Sequence, residues 1–434
     1  MRLYVSDPIS SSSHYGASRL QYRESASIIR KTVLTNGLRV VTEEVPNIHS
    51  VSIGVWIDVG SRDEDTRNNG IAHFLEHAVF KGTIHRRGAE IARSLESIGG
   101  YLNAFTGKEH TCFYARVMDE YTPLAVDVLA DLVLFPAFPV RGVEKERLVI
   151  LEELKDVEDT PDDVIFDYFE RNLYQPYPLS FPVIGNAENV ASFSRNGLLS
   201  FVDRHYTAGN MVVAAAGKVN HEKFIDLVEK KFRSARLGKA KRRRSQMNYH
   251  RVDHSEYVKP ISQAHVCLGR ITEGIKSPYR YPLIVLNTIL GDGMSSRLYQ
   301  KIREKRGVAY SIYSFINLLA DTGSFGIYLE TDKRNVKTSM DLIRRELSAL
   351  RVKPVSTKEI GRAKAQMKGN ILLGLEGMSN RMMRLGTNEL YFGYVPSLES
   401  LIRELDAVTP EKLHRLACRI FKDKEFSTVV IQPA

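Results

Sequence analysis

Cysteine is scarce: Cys112, Cys267 and Cys418 are the only three in 434 residues, far apart and without a CxxC pair. That argues against a disulfide framework and a thiolate metal site, and leaves buried, reduced thiols as the expectation. Long apolar runs are missing too. None reaches the roughly 20 residues a membrane helix needs, so no membrane partner is expected. The N-terminal stretch "MRLYVSDPISSSSHYGASRLQYRESASIIRK" lacks the apolar core of a secretory signal. Rich in Ser and Arg and poor in acids, it is read as a flexible leader over residues 1–28, with a composition also found in organelle transit peptides. "GDGMSSRLYQ" lacks phosphate-loop spacing, so no nucleotide is inferred.

Acids are absent from one segment. Residues 230–246, "KKFRSARLGKAKRRRSQ", hold nine Lys or Arg and no acid, in a chain whose net charge is +10. Without that segment the excess falls to +1, so the basicity is local. Such a run can neutralise phosphates. No helix-turn-helix or aromatic-interleaved sheet motif accompanies it. A solvated linker over residues 230–250 is therefore expected, with no nucleic-acid partner.

What is present is one pattern written twice. The first half runs from alternating strands ("KTVLTNGLRVVTEEV", "HSVSIGVWIDVGSRDE") through an apolar helix to "SIGGYLNAFTGKEHTCFYARVMDE", a glycine-entered pair of strands. It closes on a helix and a small-residue strand, "NGLLSFVDRHYTAGNMVVAAAGKV". The second half repeats the order with "SQAHVCLGRI", "YRYPLIVLNTILG", "EKRGVAYSIYSFINLLADTGSFGIYLETD" and "TPEKLHRLACRIFKDKEFSTVVIQP". This predicts an α+β fold of two homologous units, residues 29–229 and 251–434, each a mostly antiparallel sheet faced by helices.

The apolar helix of the first half, "NNGIAHFLEHAVFKGT", carries His73, Glu76 and His77. The matching helix of the second half, "LIVLNTILG", has no histidine and no acid, so the fold does not require them. Residues i and i+4 share a helix face, which lets the two imidazoles converge on one ion. Glu76 lies about 100° round from His77, placed to reach a water beside that ion rather than to ligate it. The apolar flanks (Ile71, Ala72, Phe74, Leu75, Ala78, Val79, Phe80) speak against a solvated charged face, because three buried titratable groups need partners. A catalytic zinc takes a third protein ligand. On "VEKERLVILEELKDVEDTP", helical spacing puts Glu146 and Glu153 about 20° apart beside Val149, Ile150 and Val157, with Glu152 about 100° away. Periodicity leaves Glu146 and Glu153 as equal candidates.

"NGIAHFLEHAVFKGT", "SIGGYLNAFTGKEHT", "ERLVILEELKDVEDTPDDVIFD" and "REKRGVAYS" resemble the inverted-motif zinc peptidases of the pitrilysin/insulinase family. Within it they are similar to the mitochondrial processing peptidase beta subunit and its bacterial relatives, from about residue 30 to the end. The resemblance implies His73, His77 and Glu153 as ligands of one zinc per chain, Glu76 as catalytic base and Glu146 as a supporting carboxylate. It implies that the strand carrying Asn103 and Ala104 pairs with extended substrate, and that Arg303 and Tyr310 touch the substrate backbone from the far side of a chamber. It also implies a clamshell half that closes by pairing, as a homodimer or with an inactive paralogue, around short or unfolded peptides or presequence-like segments. The expected activity is zinc-dependent endopeptidase, in the bacterial cytoplasm ahead of the mitochondrial matrix. A non-catalytic assembly subunit on the same fold is the alternative, against which the intact ligand set speaks. An RNA-associated protein using "KAKRRR" is a third reading.

Overall fold

The computed structural model describes residues 27–238, 244, 247 and 252–434. The expected leader thus lies outside the described residues except at its last two positions, and so do ten of the 21 positions of the expected linker. Lys230 and Lys231 complete the helix His221–Lys231, and Phe232 and Ala235 are buried in the first core.

Two sheets carry the chain. The first has β1 (Ile28–Val33), β2 (Arg39–Glu44), β3 (Ser50–Ile57), β4 (Tyr101–Thr106), β5 (Thr111–Met118) and β6 (Met211–Gly217) in the order β1-β2-β6-β3-β5-β4. The second has β7 (His254–Lys259), β8 (Ala264–Glu273), β9 (Ser311–Leu318), β10 (Thr322–Thr331) and β11 (Ser427–Pro433) in the order β7-β11-β8-β10-β9. Each is antiparallel apart from one parallel pair, β2 with β6 and β7 with β11. The expected repeat is present: a helix-then-strand ending in each half returns a strand to the middle of its own sheet.

The strands read as almost continuous apolar runs because both sheet faces are buried. Along β3, Val51, Ile53, Val55 and Ile57 point into the first core, while Trp56 faces the opposite side. That opposite side is covered by Met382 and Leu385 of the helix Met378–Phe392, which belongs to the second half of the chain. Reciprocally, Val164, Ile165, Phe169 and Leu173 of the first half pack on Cys267, Val429 and Ile431 of the second sheet. The two halves exchange covering helices.

One glycine permits the first of these contacts. A Cβ at Gly386 would sit 2.0 Å from Nε1 of Trp56, so the helix reaches the sheet only because the side chain is absent. Gly386→Ala should destabilise the fold by about 1–3 kcal/mol through overpacking. Trp56 is the only tryptophan, so its fluorescence reports the transition directly. An unchanged denaturation midpoint would show that the contact can relax.

Cys112 and Cys267 are buried as expected, whereas Cys418 is only half-buried, its thiol donating to the carbonyl of Arg351 at 3.4 Å. No helix among the described residues is long and apolar enough to cross a membrane.

Candidate metal centre

The helix α1 (Ile71–Val79) buries Ile71, Phe74, Leu75 and Ala78 against the first core, and so turns His73, Glu76 and His77 toward a partly open side. Its N-terminus is fixed by Glu64. That carboxylate accepts from the amides of Gly70 (2.8 Å) and Ala72 (2.9 Å) and from Nδ2 of Asn69 (3.0 Å). A negative group at this end also meets the positive end of the helix dipole. Burial still dominates, lifting the pKa of Glu64 to about 7. The sequence signal for this cap is an acid shortly before an apolar helix, which is too common to single out.

The helix α2 (Gly88–Glu96) packs on the helix α3 (Thr122–Leu134) and on β4, and α4 (Val140–Asp159) packs on α1. Val143 and Ile150 of α4 are buried, and that face brings Glu146 and Glu153 to the histidines. Glu153 Oε1 lies 3.8 Å from His73 Nε2, and its Oε2 lies 3.7 Å from His77 Nε2. One ligand atom from each of the three lies within 4.8 Å of the others, the single such cluster among the described residues. Tetrahedral zinc with bonds of about 2.0–2.1 Å separates its ligand atoms by roughly 3.3 Å. The two carboxylate–imidazole distances exceed that spacing by only about half an ångström, and two imidazoles with one carboxylate are a donor set zinc accepts, so the site fits the ion.

Glu146 does different work. Its Oε1 receives Lys81 Nζ at 2.5 Å and its Oε2 faces His77 Nδ1 at 3.3 Å. An ionised carboxylate only accepts, so Nδ1 of His77 must donate and Nε2 keeps its lone pair on the Glu153 side. His73 has its pKa pushed down to about 4, first by burial and then by His77, so it is neutral near pH 7. Its Nδ1 is buried without a hydrogen-bond partner, which leaves the polar contacts of that ring on the Nε2 side. Glu146→Gln would lose the charge that orients His77. Metal affinity should drop by about 10- to 100-fold, read by competition with a metal-sensitive dye; unchanged affinity would confine Glu146 to pairing with Lys81.

Glu76 projects from the same helix toward β4, where the Thr106 hydroxyl donates to it; burial is the larger influence and raises its pKa above the ordinary range. β4 is an edge strand of the first sheet. Asn103 is exposed, with Nδ2 on the Tyr101 hydroxyl at 2.6 Å, and Ala104 is buried. His73 and Glu153 open on a cleft of about 770 Å³ between the two halves, into which Asn317, Leu319 and Tyr391 reach from the second half. Its first-half wall is acidic, with Asp163, Asp167 and Glu170; burial lifts the Asp167 pKa to about 6. The second-half contributors carry no sequence signal that distinguishes them from core residues.

Of the residues expected at the site, His73, Glu76, His77, Glu146, Glu153 and the β4 strand come together. Arg303 and Tyr310 do not line this cleft. Arg303 lies over the Tyr299 ring with its Nη1 on that hydroxyl at 2.7 Å, and Tyr310 is 71% exposed.

Comparison with known proteins bears on the family and the fold. Residues 39–187 match the family described as "Insulinase (Peptidase family M16)", and residues 192–367 match "Peptidase M16 inactive domain". The chain is 41% identical over 408 residues to an uncharacterised zinc protease of Mycobacterium tuberculosis, 93% of each chain being covered. It is 39% identical over 407 residues to one from Bacillus subtilis, covering 94% of this chain and 99% of that one. A protease from Helicobacter pylori superimposes with a TM-score of 0.88 at 22% identity, over 94% of this chain and 100% of the other. At that identity the likeness speaks to fold alone.

Proposed function

The chain belongs to the insulinase (M16) family of peptidases, and from that premise we propose that it is a zinc-dependent endopeptidase acting on short or unfolded peptides. The observation that carries this reading is the convergence of the Nε2 atoms of His73 and His77 with the carboxylate of Glu153, beside Glu76. These three residues would hold one zinc per chain, which would supply Lewis acidity to lower the pKa of water to about 7 and to polarise a carbonyl.

The chain's own residues do the rest. Glu76, on α1 one position before His77, accepts a proton from the attacking water and returns it to the leaving amine. Thr106 holds the Glu76 carboxyl toward β4. The free edge of β4 pairs with an extended peptide through main-chain hydrogen bonds, with Asn103 and Ala104 beside the bond to be cleaved. Glu146 keeps His77 in one tautomer. Residues 29–229 form the catalytic unit and residues 251–434 the unit without metal ligands, whose helix Arg280–Gly291 bears neither histidine nor acid.

Arg303 and Tyr310, exposed on the second half, touch the substrate backbone from the far side of a chamber that a second chain completes. The working form is then a dimer, of two copies or with an inactive paralogue, closing a chamber that folded proteins cannot enter. The bacterial cytoplasm is the proposed compartment. The test is direct: zinc-loaded protein incubated with unstructured basic peptides should release internal fragments, identified by mass spectrometry. Intact peptides after prolonged incubation with fully loaded protein would overturn the reading.

A further inference from the structure

We propose that Arg244, together with Arg62 and Asp321, is a positioning clamp that sets the second half against the catalytic helix and so shapes the peptide cleft from both sides. This inference rests on the peptidase reading for its functional consequence, though not for its geometry.

Arg244 comes from the basic run that composition reads as a solvated linker. Its side chain is only 10% exposed. Nε and Nη2 donate to the Asp63 carboxylate at 2.9 and 2.7 Å, and Nη2 also reaches the carbonyl of Glu109 at 2.7 Å. The carboxylates of Asp58 and Glu109 stand 3.6 Å from its guanidinium. Arg62 lies alongside, 3% exposed, with Nη1 at 2.6 Å from both Glu109 and Asp321 and Nη2 at 3.0 Å from Asp321. Asp321 belongs to the turn between β9 and β10, and the neighbouring amide of Ala320 donates to Glu109 at 2.9 Å. First half, linker and second half therefore meet in one ionic knot.

Its location gives it consequence. Arg62, Asp63 and Glu64 are consecutive: the first grips the second half, the second grips the linker, and the third caps α1 ahead of His73. Residues 107–109 and 317–319, on either flank of the Glu109–Asp321 bridge, line the cleft. Ion pairs taken out of water add little net stability against apolar replacements of similar volume. They do fix one arrangement, because each buried carboxylate demands a cation in a defined direction. Asp63 and Glu109 are each no more than 7% exposed at the side chain, and Arg62 meets Glu109 while Arg244 meets Asp63. Arg244 completes the set, so the linker is tied at the spot from which the two cleft walls diverge.

The experiment compares zinc-loaded parent, Arg244→Gln and Asp321→Asn proteins on fluorogenic peptides of four and fourteen residues. The long peptide must touch both walls; the short one needs only the metal, Glu76 and β4. A clamp predicts that kcat/KM for the long peptide falls by about tenfold through KM, while the short peptide and the zinc content stay within twofold. Equal losses on both peptides would mean a merely structural role and overturn the proposal. A second measurement is independent of turnover. Spin labels at Ser97→Cys and Lys358→Cys, both exposed sites, are introduced after Cys418→Ser. They should give one narrow distance distribution in the parent and a broadened one in each variant; identical distributions would overturn the clamp. Should the parent cleave no peptide, the peptidase reading fails and the label distances alone decide the clamp. Should Arg244→Gln fail to fold, Asp321→Asn decides, since its carboxylate is 40% exposed and Arg62 keeps Glu109 as a counter-charge.

Discussion

Glu76→Gln protein should bind zinc as the parent does, yet hydrolyse peptides about 10²- to 10⁴-fold more slowly. The amide keeps the size of the side chain and can still meet the Thr106 hydroxyl. What it loses is the capacity to take a proton. Neither Glu153 nor Glu146 can substitute, because each is committed to the histidines and, for Glu146, to Lys81 as well. Zinc per chain by atomic absorption, set beside kcat on one unstructured peptide, checks the expectation. A loaded variant with parental turnover would remove Glu76 from the chemistry and shift attention to another acceptor along the cleft.

Glu153→Gln should act in the opposite way, through the ion rather than through the proton. Replacing the anionic donor leaves two imidazoles, and zinc affinity should fall by more than the roughly 10- to 100-fold that follows from losing an outer carboxylate. Glu152→Gln is the internal control. Glu152 is exposed and bonds Lys155 at 2.7 Å, one position along α4 from the residue that faces the histidines. Isothermal titration of both variants separates register from general acidity: equal affinities would mean that the face of α4 has been misassigned. Added zinc should restore turnover to Glu153→Gln in part, and to Glu76→Gln not at all.

Much of this centre was legible before any coordinate. An apolar helix with three titratable groups is costly unless they share a task, and a sister helix without them showed that the task was not structural. Helical spacing on α4 brought Glu146 and Glu153 to one face, but 20° is too small a difference to assign their roles. Family resemblance separated them in advance. The distances now give the physical reason: Glu153 reaches both Nε2 atoms, while Glu146 meets the far nitrogen of His77 and a lysine.

The exchange of covering helices was not legible. A strand buried on both faces reads the same whichever segment supplies the cover, and Gly386 looks like any small residue within a helix. Arg244 was hidden by its company, since a run of nine cations with no acid suggests water on all sides. Its partners Asp63 and Glu109 lie more than a hundred positions away. The second-half residues of the cleft, Asn317 and Tyr391, stayed invisible for the same reason, because the separation that makes them neighbours of His73 is set by the packing of the halves.

The traded helices bear on how the chain is made. The Trp56 face of the first sheet is complete at Gly217, but its lid ends at Phe392, roughly 175 residues further along. At about 5–20 residues per second of translation, a nascent chain carries that greasy surface unshielded for some 9–35 seconds. Protection during those seconds has to come from outside the chain, so ribosome-associated helpers, or a slow-growing culture at low temperature, will govern how much of the protein is recovered intact.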